Sequence, residues 1–76
     1  MNLELLSTFL AVLDAGTLGR AADRLHVSPS TVTTRIQLLE AELGQALIVR
    51  DRSGVVPTAA GARLVRHAET LSLIHI

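Results

Sequence analysis

The stretch VSPSTVTTRI, residues 27–36, decides how this chain reads. Ser28 is a strong helix N-cap, and Pro29 suits the first helical position, where a missing N–H costs nothing. A helix therefore begins at Pro29. Val32, Ile36, Leu39 and Leu43 follow at spacings of four, three and four, which puts them on one face of a helix ending at Gly44. At about 100° per residue, the opposite face carries Ser30, Thr34, Gln37 and Ala41, with Thr31 and Thr33 flanking its N-terminal end. Threonine lowers helix propensity, and only one residue can be the N-cap. So many hydroxyls on the outer side of a helix start need a reason outside the helix.

Upstream, Leu3, Leu6, Phe9, Leu10 and Leu13 fall on one face of a helix over 3–15, widened by Leu5, Ala11 and Val12. Asn2 is its N-cap and Gly16 its C′ residue. Thr17 caps a short helix over 18–25, whose apolar side is Leu18, Ala21, Ala22 and Leu25. The paired alanines admit a close neighbour. His26 and Val27 leave room only for a tight turn before Ser28. Downstream, Leu47 to Arg50 and Val55-Val56 are short β-prone runs around the turn sequence DRSG. Pro57 confines the second run to an edge. Thr58 caps a fourth helix with an apolar stripe of Leu64, Val65, Ala68 and Leu71. The order is helix, helix, tight turn, helix, hairpin, helix. The expected fold is mainly α: a winged helix-turn-helix with a three-helix core, a short β-hairpin wing and the start of a C-terminal helix.

Composition sets bounds on this reading. A chain of 76 residues makes one small domain and buries only about 60% of its unfolded surface, or a little more. No cysteine is present, which excludes disulfides and thiolate metal sites and fits a reducing cytoplasm, the expected location. No apolar run is long enough to span a membrane, and MNLELLSTFL lacks the basic leader of a secretory signal. Formal net charge is zero, yet all seven positive side chains are arginine. Arginine suits bidentate phosphate and guanine contacts, and a neutral sum can conceal a basic face. No catalysis, metal or cofactor is expected. His26 lies in the turn, while His67 and His75 are eight apart on a helix with no acidic partner at ligand spacing. Neither a nucleophile elbow nor a glycine-rich phosphate loop occurs.

A helix-turn-helix presents the start of its second helix to the major groove of duplex DNA. Small hydroxylated residues let the backbone approach the base edges. Their oxygens reach bases and phosphates, and threonine methyls meet the thymine methyl. Free N–H groups at the helix start favour a phosphate. For Ser28 taken alone, capping is a sufficient explanation. It is not sufficient for Ser30, Thr31, Thr33 and Thr34 together. Arg24, Arg63 and Arg66 read as solvated, or as paired with neighbours such as Asp23 and Glu69. Arg20 is the exception, because it starts the helix that crosses the DNA backbone.

AADRLHVSPSTVTTRIQLLEAELGQALIVR followed by PTAAG resembles the N-terminal domain of LysR-type transcriptional regulators. The resemblance is carried by Phe9, Ala21-Ala22, Leu25, Val27-Ser28, Ile36 and Leu39-Glu40. It continues through Glu42-Leu43-Gly44, Leu47, Arg50, Thr58, Ala60 and Gly61, without gaps from about Leu3 to about Leu71. It implies a winged helix-turn-helix that binds double-stranded DNA as a dimer and controls transcription. Family members also carry a larger effector-binding domain, which these residues do not include. The chain departs from the family pattern at Pro29, where glutamine is frequent, and at Thr34, where arginine or another long polar residue is common. Ile48 replaces a frequent phenylalanine, and Ser53 a frequent wing arginine. Its neighbour Arg52 reads equally as a phosphate or minor-groove contact and as a solvated turn residue.

The candidate DNA-binding residues are therefore Ser28, Pro29, Ser30, Thr31, Thr33, Thr34, Gln37, Arg20, Arg50, Arg52 and Ser53. The helix at about 29–43 is expected in the major groove and the wing at about 47–57 on the flanking backbone or minor groove. Residues 1–57 form the expected DNA-binding domain, and 58–71 the start of a linker and dimerisation helix. LSLIHI, residues 71–76, matches the translation of a transposon mosaic end used in sequencing libraries. Residues 72–76 are accordingly expected to be a non-native tail, the alternative being a natural hydrophobic helix end. The full-length protein is expected to be a homodimer and this chain alone a monomer. The competing functions are a winged-helix protein-interaction module and an inert truncated fragment.

Overall fold

Each helix begins on a capping side chain, and the first three each end on a residue in the left-handed region. In the computed structural model, residues 2–75 are described, with side chains for residues 2–69. The order is α1 (Leu3–Ala15), α2 (Leu18–Leu25), α3 (Pro29–Leu43), β1 (Ile48–Asp51), β2 (Gly54–Pro57) and α4 (Ala59–His75). Asn2 Oδ1 accepts the Glu4 and Leu5 N–H groups at 2.8 and 3.3 Å. Thr17 Oγ1 accepts from the Arg20 N–H at 3.1 Å, and Ser28 Oγ from the Thr31 N–H at 3.3 Å. Thr58 Oγ1 accepts the Gly61 N–H at 3.0 Å and donates to the Ala46 carbonyl at 2.6 Å. These bonds satisfy N–H groups that a helix leaves without internal partners. Gly16 and Gly44 close α1 and α3 in the left-handed region, at φ 87° and 68°. His26 closes α2 at φ 58°, the one positive φ on a non-glycine residue among those described. It allows Val27 to donate back to the Ala22 carbonyl at 3.1 Å, so α3 starts after a tight turn.

The core lies where α1, α2 and α3 converge. Phe9, Val12, Ala21, Val32 and Leu39 have no exposed surface, and Ala22, Ile36 and Leu47 are also buried. The small pair Ala21-Ala22 brings α2 close to both neighbours. Burial on α1 centres on Leu5, Leu6, Thr8, Phe9, Val12 and Ala15. Two expectations fail at helix ends. Leu3, in the first turn of α1, is 77% exposed, and Leu43, at the far end of α3, is 36% exposed. Leu43 is only partly covered, lining a groove with Leu47 and with Ala60 and Leu64 of α4. Leu64 and Ala68 of α4 join the core as expected, with Val65 packed against it. Leu71 lies outside the described side chains. α4 runs to His75. Its main partner is β2, whereas α3 packs chiefly on α1 and α2.

β1 and β2 form an antiparallel ribbon with Ile48 opposite Pro57 and Asp51 opposite Gly54, leaving Arg52 and Ser53 as the loop. The strands are offset from expectation. Leu47 precedes β1 and is a buried core residue, its carbonyl accepting the Thr58 N–H at 3.0 Å. Positive φ falls on Gly54, at 131°, and not on either loop residue. The loop is therefore not the mirror-image turn common in two-residue hairpins. Gly54 also permits a close approach: a Cβ there would sit 2.2 Å from the Gly16 carbonyl oxygen. That carbonyl accepts the Val55 N–H at 2.8 Å, which fixes the hairpin to the α1–α2 turn. Among the described residues, no helix is long and apolar enough to cross a membrane.

Candidate nucleic-acid interface

The outward face of α3 carries Ser30, Thr34, Gln37 and Ala41, all exposed, with Thr31 and Thr33 half-buried at its margins. Val32, Ile36 and Leu39 point the opposite way into the core, as their spacing predicts. At the helix start the hydroxyls cluster. Ser28 Oγ lies 3.0 Å from Ser30 Oγ and 2.9 Å from Thr31 Oγ1. Capping therefore engages Ser28, while Thr33, Thr34 and Gln37 have no side-chain hydrogen bond among the described residues. Pro29 is exposed at the first helical position.

Two grooves flank this face. Between α3 and the wing, Thr33 and Gln37 line a groove with Arg50 of β1, joined by Leu18, Ile36, Glu40 and Ile48. On the other side, Ser30, Thr31 and Thr34 line a groove with Asn2, Glu4, Arg35 and Leu38. The fold thus brings Arg50 next to α3. Arg52 and Ser53 sit apart, on the exposed hairpin loop, and Arg20 sits on the first turn of α2; none of the three lines either groove.

The neutral total charge conceals an uneven distribution. Arg24 pairs with Asp14 at 2.7 Å, not with the adjacent Asp23, because α1 lies alongside α2. Arg35 reaches Glu4 at 3.6 Å and Thr8 Oγ1 at 3.4 Å. Arg63 donates to Gln45 Oε1 at 3.4 Å, not to Glu69. The Arg20, Arg50 and Arg52 guanidinium groups have no partner among the described residues. The unpartnered cations are thus on the element before α3 and on the wing after it. In the wing loop, Asp51 Oδ1 accepts from Ser53 Oγ at 2.7 Å and from the Ser53 N–H at 2.8 Å. These bonds hold the Asp51 carboxyl below the usual aspartate range, the Ser53 hydroxyl first, then its N–H. Glu40 and Asn2 were not singled out from the sequence as shaping this surface. Glu40 bonds the Leu47 N–H from the groove wall at 2.7 Å. Its only sequence sign was its place in the Leu39-Glu40 pair. Among the described residues, no group of three His, Asp or Glu side chains is placed to hold a metal.

The family described as bacterial regulatory helix-turn-helix protein, lysR family, matches residues 3–62. The HTH-type transcriptional regulator HdfR of Escherichia coli is 46% identical over 71 residues, covering 93% of this chain and 25% of HdfR. The chain thus spans about a quarter of the length of the curated relatives it matches. The crystal structure of the CbnR_DBD–DNA complex superposes with TM-score 0.83 at 42% identity, over 99% of this chain and 87% of that one. The BenM_DBD/catB site 1 DNA complex superposes with TM-score 0.87 at 33% identity, over 99% and 84%. With three helices, the wing and α4 in the same arrangement as these solved domains, the fold is a winged helix-turn-helix, and the chain belongs to the lysR family of bacterial regulatory helix-turn-helix proteins.

Proposed function

We propose that this chain is the DNA-binding part of a transcriptional regulator, docking α3 in the major groove of duplex DNA. The observation that carries the reading is the outer face of α3: small, hydroxylated and exposed, with Arg50, which has no partner among the described residues, in the groove beside it. Ser30, Thr31, Thr33, Thr34 and Gln37 meet base edges and nearby phosphates. Ser28 and Pro29 set the helix start that faces the backbone. Arg50, Arg52 and Ser53 belong to the wing, on flanking phosphates or the minor groove, and Arg20 to the backbone side of α2. The role is binding, without catalysis, in the cytoplasm where chromosomal DNA is reached. Residues 1–57 are the DNA-binding domain. Residues 58–71 begin the linker helix through which the full-length regulator dimerises, and 72–76 are a non-native tail.

Selection from a pool of randomised duplexes tests this directly. Enrichment of a short motif is expected, with log affinity falling linearly against log salt as phosphates displace counterions. As a monomer the chain reads one half-site, so its affinity should lie near the non-specific range of about 10⁻⁴–10⁻⁶ M. Absence of duplex binding even at low salt overturns the reading and favours a protein-interaction module.

A further inference from the structure

Arg35 is the one arginine lining the groove beside Ser30, Thr31 and Thr34, and Glu4 is the one carboxylate there. The groove, about 430 Å³, opens along the N-terminal half of α3's outer face. Arg35 does not project freely from it. Its side chain is 23% exposed and lies back across α3 towards α1, with Nη2 3.6 Å from Glu4 Oε1 and Nη1 3.4 Å from Thr8 Oγ1. The Glu4 contact is too long for a hydrogen bond, and Glu4 itself is 68% exposed. Such a pair biases where the guanidinium points without fixing it there. Thr8 holds its own place independently, buried and donating to the Glu4 carbonyl at 2.9 Å.

We propose that Glu4 limits DNA affinity by drawing Arg35 away from the α3 face, so that the pair presents a neutral surface where a fourth phosphate-binding arginine would otherwise stand. This rests on the reading of α3 as the DNA-docking helix. Two consequences follow from charge alone. Without Glu4, the Arg35 guanidinium can turn to a phosphate and one more counterion is released on binding. Without Arg35, the Glu4 carboxylate faces the polyanion uncompensated.

The test is a double-mutant cycle of E4Q and R35Q on this chain, titrated with a randomised duplex across a salt series, with D14N as a charge control. Asp14 pairs with Arg24 on the α1–α2 side, away from this groove. E4Q is expected to bind about three- to tenfold more tightly at about 0.1 M salt, with a salt slope steeper by about 0.9. R35Q should bind more weakly than the parent, and E4Q/R35Q should lose the gain of E4Q. D14N should leave the slope unchanged. A parental slope in E4Q overturns the proposal, as does an equal gain in D14N, which would make the effect one of net charge. Thermal melts of each variant confirm that affinity is compared among folded proteins. If the parent itself does not bind duplex DNA, it is the reading of α3 that fails, an outcome the titration separates from failure of the pair.

Discussion

Glu40 Oε2 accepts the Leu47 N–H at 2.7 Å, and this bond ties the last turns of α3 to the segment leading into the wing. Helix and hairpin need this register, because Thr33 and Gln37 on one element share a groove with Arg50 on the other. A half-buried carboxylate bonded to a backbone N–H is worth about 1.5–3 kcal/mol, since losing it strands the donor. Glu40→Ala should lower unfolding free energy by about that amount in denaturant melts. Glu40→Gln, which keeps an acceptor oxygen, should lose less than half as much. Equal losses would show that the charge, and not the bond, matters.

The same segment sets a demand on α4. A Cβ on Gly61 would lie 2.1 Å from the Leu47 carbonyl oxygen, a backbone atom that cannot step aside. Gly61→Ala should therefore destabilise by about 1–3 kcal/mol as the helix and hairpin are forced apart. Gly19, in α2, has nothing within 4 Å of its would-be Cβ. Gly19→Ala should raise stability by up to about 1 kcal/mol through helix propensity. Paired melts of the two variants would show opposite signs.

Local chemistry made most of the fold legible. Asn2, Thr17, Ser28, Gly16 and Gly44 act within a few residues of themselves, so each helix boundary could be read from its own neighbourhood. The helical phase of α3 likewise sorted Ile36 from Thr34 correctly. What periodicity lacks is how far the neighbouring elements cover a face. Leu3 and Leu43 fall on the apolar faces of α1 and α3, yet Leu3 is largely exposed and Leu43 only partly covered, beside α4. Tertiary pairings were equally invisible. Arg24 joins Asp14 across two helices, and Val55 donates to Gly16, a residue far back in the chain. On the candidate interface, helical spacing predicts the hydroxyl face, but only the fold could bring Arg50 into one groove with Gln37 and turn Arg35 towards Glu4.

Ile36 is 3% exposed and packs where α3 meets α1 and α2, while Leu43 at the end of the same stripe is 36% exposed. Truncating Ile36 to alanine should cost about 2–5 kcal/mol, a large part of the roughly 5–15 kcal/mol that holds a domain together. Leu43→Ala should cost less than about 1.5 kcal/mol. Equal losses in urea melts would mean that the end of α3 is buried after all.

Asp51 carries the pH dependence of the wing loop. Its folded pKa lies below the usual aspartate range because the carboxylate accepts from the Ser53 hydroxyl and N–H. A depressed folded pKa means the contribution is present above the unfolded value and is lost as pH falls through the folded one. The loop should therefore hold through neutral and mildly acidic pH and loosen only in strong acid. The Ser53 amide resonance should titrate with a midpoint below that of an ordinary aspartate. In Asp51→Asn the acid transition should vanish.

Thr34 and Arg52 separate the two halves of the proposed interface. Thr34 is exposed on the outer face of α3, and a carboxylate there would point at the phosphates. Thr34→Glu should abolish duplex binding, yet leave the melting temperature within a few degrees of the parent, because no core atom is touched. Arg52 lies on the hairpin loop with no partner among the described residues. If it meets a phosphate, Arg52→Ala weakens binding to all duplexes alike and lowers the salt slope by about one. A slope equal to that of the parent would return Arg52 to the role of a solvated turn residue. The two variants answer different questions. Loss in Thr34→Glu with a parental slope in Arg52→Ala would mean that α3 alone holds the DNA. The reverse pattern would place the wing, and not α3, at the duplex.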